Sequence, residues 1–423
     1  MIYGTPDKTG YLPRIADDLL ANQLQDSAAV HIKGPKWCGK TSTAARASRS
    51  QVFLQDPDRG PALLALADAA PSVLLRGDKP RLIDEWQMAP QLWDAVRFAV
   101  DREQGRGQYI LTGSSTPRER PSHTGVGGIA PLVMRTMSLL ESGESSGEVS
   151  LARLFAGETE VAAIAEANVE DYARMLCRGG WPEVVAMGES SPGATARNYI
   201  EELLDSNIEE IDGVRRNATW MRAILRSYAR NVSGQAPLST IASGMQEPPS
   251  PLTLSNDVDA LARAYVTDDL PAWNPNLRSK TAVRTSPTRH FIDPSFAAAV
   301  LGVTPSGLLG DFETFGLLFE SMCVRDLRVY AEALRGQVSH YRDKTGLEAD
   351  AVVSLPDGRW APIEVKMGAG RIDEGAKHLI RLANRVDQER MGAPSFMMVL
   401  TSTPTAYRRD DGVLVVPLAC LGV

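Results

Sequence analysis

The chain has 423 residues, 43% hydrophobic and 23% charged, and a net charge of −7, a length and composition that point to two or three domains of a soluble globular protein. No apolar run approaches the ~20 residues needed to cross a bilayer, and the start MIYGTPDKTGYLPR lacks the apolar stretch of a secretory leader. Four cysteines far apart, with no CxxC pair, argue against a zinc site or disulfide framework and fit a reducing cytoplasm.

The first informative segment is AAVHIKGPKWCGKTSTAARAS. It predicts a short buried strand over residues 29–33, a glycine-bounded loop and a helix. The loop Gly34, Pro35, Lys36, Trp37, Cys38, Gly39, Lys40, Thr41 fits G-x-x-x-x-G-K-[ST] at every fixed position and, with Ser42, forms the expected ATP phosphate site. The glycines let backbone amides curl round the β-phosphate, Lys40 reaches the β and γ oxygens, and the Thr41 hydroxyl ligates Mg²⁺. The helix that follows aims its positive end at the same anion.

Next, RLIDEWQ (residues 81–87) reads as an apolar strand ending in two carboxylates. Asp84 is expected to hold Mg²⁺ through water and Glu85 to act as general base on the attacking water. The following strand, QYILTGSS (108–115), ends in small polar residues, which places Ser114 or Ser115 to sense the γ-phosphate.

These motifs together resemble the AAA+-type ATPases of bacteria and archaea that are fused to a domain of unknown function. The resemblance runs through GPKWCGKTSTAA, PRLIDEWQMAPQLWDAVRFAVD, QYILTGSSTP and MRTMSLLESGES, and more loosely over the rest. It implies that RGGWPE (178–183) is the family's lid motif, with Pro182 near the nucleotide base. It also implies an arginine shortly after the sensor strand, able to reach a neighbouring subunit's γ-phosphate. Gly128 stands at that position, so Arg135, Arg118 or Arg120 must substitute, or turnover is slow. The oligomeric state stays open between monomer, small oligomer and ring.

Residues 141–147 (ESGESSG) read as a polar hinge, and 157–169 as an Ala/Glu-rich helical connector. A helix over about 194–211 places Tyr199, Leu203 and Leu204 inward. Arg222, Arg226 and Arg230 then recur every four residues in one stripe of a second helix. Residues 237–273 read as helix, turn, helix and a short extended piece, which the resemblance identifies with a winged helix-turn-helix. The stripe suits DNA phosphates, whereas Asp257 and Asp259 on the second helix do not suit a groove reader.

In the C-terminal part a long helix over about 311–335 carries Glu320, and three strand-like pieces carry Asp350 and the pair Glu364-x-Lys366. Alternation on a strand puts Glu364 and Lys366 on one face. This is the D…(D/E)-x-K pattern of restriction-endonuclease-like folds, in which carboxylates bind Mg²⁺ and the lysine attends the attacking water. The same letters also serve a structural ion pair of Glu364 with Lys366 or Arg342. A downstream helix adds Lys377, Arg381 and Arg385 in a basic stripe, so DNA is a possible partner.

The expected architecture is α/β: a P-loop ATPase core with a parallel sheet (1–150), a helical lid (151–193), a winged-helix-like middle (194–285) and a restriction-endonuclease-like domain (286–423). The expected function is ATP hydrolysis coupled to a nucleic-acid-acting C-terminal domain. The alternative is a slow nucleotide-gated switch with an inert nuclease-like domain.

Overall fold

The computed structural model describes residues 3–115, 128–188, 193–208, 213–275 and 286–423. Near the N-terminus, β1 (Ala29–Lys33), β2 (Ser50–Phe53), β3 (Arg81–Asp84), β4 (Tyr109–Gly113) and β5 (Ile129–Val133) form a sheet in the order β2-β3-β4-β1-β5. All of its pairings are parallel. These strands are short apolar runs because both faces are covered. Leu82 and Ile110 pack on one side with Val30, Ile32, Leu20 and Ala44, while their neighbours Ile83 and Leu111 pack on the other with Leu92, Val96 and Trp86.

The strand order decides where the chemistry gathers. β4 lies between the phosphate-loop strand and the carboxylate strand, so the loop after β1, the Asp84-Glu85 pair and the end of β4 meet at one carboxyl edge of the sheet. Open parallel sheets bind ligands at that edge.

A second sheet holds β8 (Gln337–Arg342), β9 (Glu348–Ser354) and β10 (Trp360–Lys366) as an antiparallel meander. The helix Ile372–Arg385 then crosses over to β11 (Met398–Thr401), parallel to β10, and β13 (Leu414–Pro417) lies parallel to β11. β12 (Thr405–Arg408) pairs antiparallel with β13. The long helix Phe312–Ala333, most of it buried, packs against β8, β9 and β10.

Residues 151–193, expected as a helical lid, contain helices but are also woven into the C-terminal part. Ahead of them, β6 (Val149–Ser150) pairs with β14 (Leu421–Gly422), and β7 (Ala163–Ile164) extends the edge at β12. The expected helical connector over 157–169 is therefore corrected. The free edge of β12 supplies backbone partners that an isolated Ala/Glu-rich stretch lacks, and contacts of this kind override weak local propensity. The expected hinge at 141–147 is also corrected, because Glu141 is buried and bonded on both oxygens.

The middle contains the helix Ala194–Glu202, prolonged by a π turn over Leu203–Asn207, then Ala218–Arg230, Leu238–Ser243 and Pro251–Arg263. Two antiparallel bridges follow, Thr267 with Phe291 and Leu270 with Thr288. One hydrophobic cluster runs through Tyr172, Tyr199, Phe296, Phe319 and Leu421 and reaches the N-terminal part at Ile15 and Leu139. Among the described residues no helix is long and apolar enough to cross a membrane.

Candidate functional site

The phosphate loop needs its glycines for room. A Cβ at Gly34 would lie 2.1 Å from the Met134 carbonyl, and Gly39 takes a φ of +100° at the start of the helix Lys40–Ala47. Lys40 is buried, and its ammonium donates to the carbonyls of Gly34 (3.1 Å) and Pro35 (2.7 Å) across the loop. A cavity of about 810 Å³ opens here, lined among others by Tyr11, Lys36, Thr41, Ser42, Glu85 and Pro182. The sequence-predicted Pro182 thus joins the loop residues at one cleft. Cys38 is buried, its thiol 3.4 Å from the Met134 carbonyl.

Asp84 is the centre of a hydroxyl cluster. Its Oδ1 accepts from Thr41 Oγ1 (2.8 Å) and from Thr112 Oγ1 (2.6 Å). Burial raises its pKa, and those two hydroxyls offset the rise. Glu85 takes a left-handed backbone, and its N–H donates to Thr112 Oγ1 at 3.0 Å. Its Oε2 accepts from the Ser114 N–H (3.2 Å), the Ser114 hydroxyl (2.9 Å) and the Gln87 amide. Ser114 therefore orients the carboxylate and lines the neighbouring cavity. Ser115 lies in an adjoining cavity of about 360 Å³ with Gln87, Met88 and Ser114. On the strand below, buried His31 accepts from Trp86 Nε1 at 2.9 Å, and burial lowers its pKa to about 3, so the ring stays neutral.

Thr112 and Arg14 were not singled out by sequence reasoning. Thr112 is an inward side chain in an ordinary-looking strand, and no motif marks it. Arg14 lies ahead of the loop, fully buried, and donates to the Cys38 carbonyl (2.7 Å), the Arg135 carbonyl (2.9 Å) and Glu141 (3.0 Å). Only a buried cation beside an apolar helix start could have hinted at it.

The glycines of the RGGWPE motif also have a structural reason. A Cβ at Gly180 would sit 2.1 Å from the Met137 carbonyl, and the Gly180 N–H donates to buried Asp293 at 2.9 Å. Asp293 also accepts from Thr136 (2.6 Å) and Arg325 (3.3 Å), so the motif is clamped between the N-terminal part and the C-terminal helix.

Arg135 is not available as an arginine finger. It is buried and paired with Asp268 (2.7 Å) and with Glu332. Against burial, which pulls its pKa down, those two carboxylates hold the guanidinium above its usual range. Arg118 and Arg120 lie outside the described residues. Gly128 starts the turn into β5 and brings no side chain.

The C-terminal constellation does converge. Asp350 and Glu364 stand side by side on β9 and β10, one step beyond the Ala351–Ile363 pair. The Lys366 ammonium lies 2.5 Å from Glu364 and 3.5 Å from Asp350. Asp350 also accepts the Val365 N–H at 2.7 Å. Glu364 is 1% exposed, and burial with the Asp350 charge pushes its pKa up to about 9. Glu320 is half-buried, and burial followed by Asp350 raises its pKa well above the usual value. His378, which sequence reasoning missed, places Nδ1 3.8 Å from Glu364. Among the described residues no three His, Cys, Asp or Glu side chains are arranged to hold a metal ion.

The two basic stripes are solvent-facing. Arg222, Arg226 and Arg230 are exposed, with Arg222 paired to Glu201 at 2.5 Å, and Lys377 and Arg381 are exposed on the crossover helix. Asp257, in contrast, is buried against Arg216 at 2.9 Å.

Three family models match this chain. Residues 26–142 match an AAA domain, 169–307 a domain of unknown function (DUF8612), and 315–421 another domain of unknown function (DUF4143). With the loop and carboxylate geometry above, the first match supports a P-loop ATPase domain of AAA type in the N-terminal part. The chain is 25% identical over 353 residues to the uncharacterised protein Rv2008c of Mycobacterium tuberculosis, covering 82% of this chain and 72% of that one. The uncharacterised protein Mb2031c of Mycobacterium bovis matches to the same extent. Among solved structures, the Walker-type ATPase PABY2304 of Pyrococcus abyssi aligns with 70% of this chain and 98% of its own, at 14% identity and a TM-score of 0.42.

Proposed function

We propose that this chain is a Mg²⁺-dependent ATPase that couples its nucleotide state to a nucleic-acid-acting C-terminal domain. The observation that carries the reading is the hydroxyl-carboxylate cluster of Thr41, Asp84 and Thr112, next to a Glu85 held by Ser114 and Gln87. An alcohol and a carboxylate 2.8 Å apart suit a hard cation such as Mg²⁺, which takes oxygen ligands and keeps several waters. Bound there, Mg²⁺ would neutralise charge on the phosphates. Lys40 and the loop amides bind the phosphates, Glu85 accepts a proton from water, and Pro182 borders the cleft.

For the C-terminal domain, the helix-meander-crossover order and the Asp350, Glu364, Lys366 and Glu320 grouping support a restriction-endonuclease-like reading. The helices ahead of the Thr267–Phe291 and Leu270–Thr288 bridges support a winged-helix-like middle. Arg222, Arg226, Arg230, Lys377 and Arg381 are then the DNA phosphate contacts. A second reading, a slow nucleotide-gated switch with an inert nuclease-like domain, is favoured by two observations. Arg135 is locked in ion pairs, and the Lys366 ammonium sits against Glu364.

Steady-state ATP hydrolysis with Mg²⁺, with and without DNA, tests the first reading. Turnover stimulated by DNA and abolished in Glu85→Gln supports it, and DNA cleavage lost in Glu364→Ala extends it to the C-terminal domain. ATP binding with negligible turnover and no response to DNA would transfer support to the switch.

A further inference from the structure

Phosphoryl transfer builds negative charge on the γ-phosphate, and ATPases answer it with a cation beyond the loop lysine. In this chain the position where an arginine is expected carries Gly128, and Arg135 is committed elsewhere. Among the described residues, the cations lining the phosphate cavity are Arg14, Lys36, Lys40 and Arg46. Arg14 is buried on Glu141 and the Cys38 carbonyl. Arg46 pairs with Asp7 at 2.7 Å and lies over the Tyr11 ring.

Lys36 differs from both. It sits at the outer turn of the phosphate loop, and its side chain is 30% exposed. It lines the phosphate cavity and also the adjoining one, where Gln87, Ser114 and Ser115 mark the side on which Glu85 is held. Among the described residues lining that second cavity, Lys36 is the only cation. Its ammonium is 3.6 Å from Glu202, the last residue of the helix Ala194–Glu202 in the middle region. The same helix holds this turn twice more: the Lys36 N–H donates to the Tyr199 hydroxyl (3.1 Å), and the Trp37 ring meets the Tyr199 ring edge to face at 5.2 Å.

We propose that Lys36 is the second γ-phosphate cation, acting within the same chain, and that Glu202 competes with the γ-phosphate for it. The inference rests on the ATPase reading above and names the cation and the regulation of that same site. ATP draws the ammonium from Glu202 to the γ-phosphate, whereas ADP leaves the Lys36–Glu202 pair intact. The middle region thereby distinguishes ATP from ADP through the helix that carries Glu202, with no group from a second subunit.

The test is calorimetric binding of Mg²⁺ with ADP and with the non-hydrolysable analogue AMP-PNP to the full-length chain. Wild type, Lys36→Met, Lys36→Arg and Glu202→Gln are compared. Lys36→Met is expected to reduce the preference for AMP-PNP over ADP by about tenfold, the order of one charge-assisted hydrogen bond, with ADP affinity unchanged. Lys36→Arg should restore most of that preference, and Glu202→Gln should raise it by roughly threefold through removal of the competitor. An unchanged AMP-PNP to ADP ratio in Lys36→Met would overturn the proposal. Equal loss of both nucleotides would overturn it too, since Lys36 would then only shape the loop. Failure of the wild type to bind either nucleotide would instead sink the ATPase reading, and this inference with it.

Discussion

Arginine 14 offers the sharpest test of how the phosphate loop is held. Its three donors go to the Cys38 carbonyl in the loop, to the Arg135 carbonyl after β5, and to Glu141. The side chain is 3% exposed and that of Glu141 is 1% exposed, so neither charge is hydrated. Breaking a buried pair by removing one partner costs about 3–5 kcal/mol, chiefly through the charge left behind. Glu141 would keep the N–H of Ile15 and both the N–H and hydroxyl of Ser138, which argues for the lower end. Arg14→Met is therefore expected to destabilise the fold by about 3 kcal/mol. The cluster that fills the middle and C-terminal parts reaches Ile15 and Leu139, close to this pair in sequence, so the chain is treated as one cooperative unit. Its 423 residues then imply an unfolding entropy of roughly 0.9 kcal/mol/K, and the melting temperature should fall by about 3 °C.

The double variant Arg14→Met/Glu141→Gln separates charge from packing. With the stranded carboxylate neutralised, it should be more stable than the sum of the two single variants by about 2 kcal/mol. Urea unfolding of all four proteins measures this coupling, and ATP titration reports whether freeing the Cys38 carbonyl weakens the loop. Strict additivity, or a melting temperature for Arg14→Met equal to wild type, would refute the view that this pair fastens the loop.

Gly180→Ala should lower the melting temperature measurably, because its Cβ would meet the Met137 carbonyl at 2.1 Å and overpacking of this kind costs about 1–3 kcal/mol; an unaffected melt would show that the 134–141 segment yields freely. Thr112→Val keeps the shape but strands the buried Glu85 N–H and removes one donor to Asp84, so kcat at saturating ATP should drop by about tenfold or more through misplaced carboxylates. An unchanged kcat would show that Thr112 only fills space. Glu364 titrates at about 9 in the fold against 4.5 in the open chain. Between those values the folded state binds a proton that the unfolded chain has released, so this group's contribution to stability falls as pH rises. Melts of wild type and Glu364→Gln across that interval should show the variant gaining on wild type with increasing pH, and a gap independent of pH would contradict the burial argument.

The phosphate loop was legible because its chemistry is local: eight consecutive residues carry the glycines, the lysine and the threonine, and the next helix comes with them. Asp84 and Glu85 were legible because an apolar run ending in two carboxylates, common and weak by itself, gains its meaning from its spacing after such a loop. Thr112 was not, since an inward hydroxyl on a covered strand leaves no period or motif. The role of Arg135 depends on Asp268 and Glu332, residues far away in the chain, and no local rule announces an ion pair of that range. The stretch 157–169 was misread for the same reason, as β7 exists only because β12 presents an edge to it. Asp350, Glu364 and Lys366 were brought together as the strand alternation implied, while His378 reaches Glu364 from a helix that crosses over only in three dimensions.

The route from the phosphate loop to the acidic cluster is short and passes through polar groups that are almost all buried. The Cys38 carbonyl is bonded to Arg14, Arg14 to Glu141, and Glu141 to Ser138. The next residue, Leu139, donates its N–H to Asp326 at 3.0 Å, and Asp326 pairs with Arg325, which reaches Asp293 behind the glycine motif. Asp326 stands six positions after Glu320 on the same helix, about 9 Å along its axis. That helix is buried over most of its length and packs on the sheet that carries Asp350 and Glu364, so it has no freedom to bend between the two sites. A displacement at the loop would thus be transmitted by movement of the helix as a body against the sheet. Interfaces packed this densely move between discrete arrangements and do not deform gradually. Coupling between nucleotide and C-terminal domain should therefore be weakened by Arg14→Met even where ATP still binds, which makes that variant a probe of both halves of the proposed function.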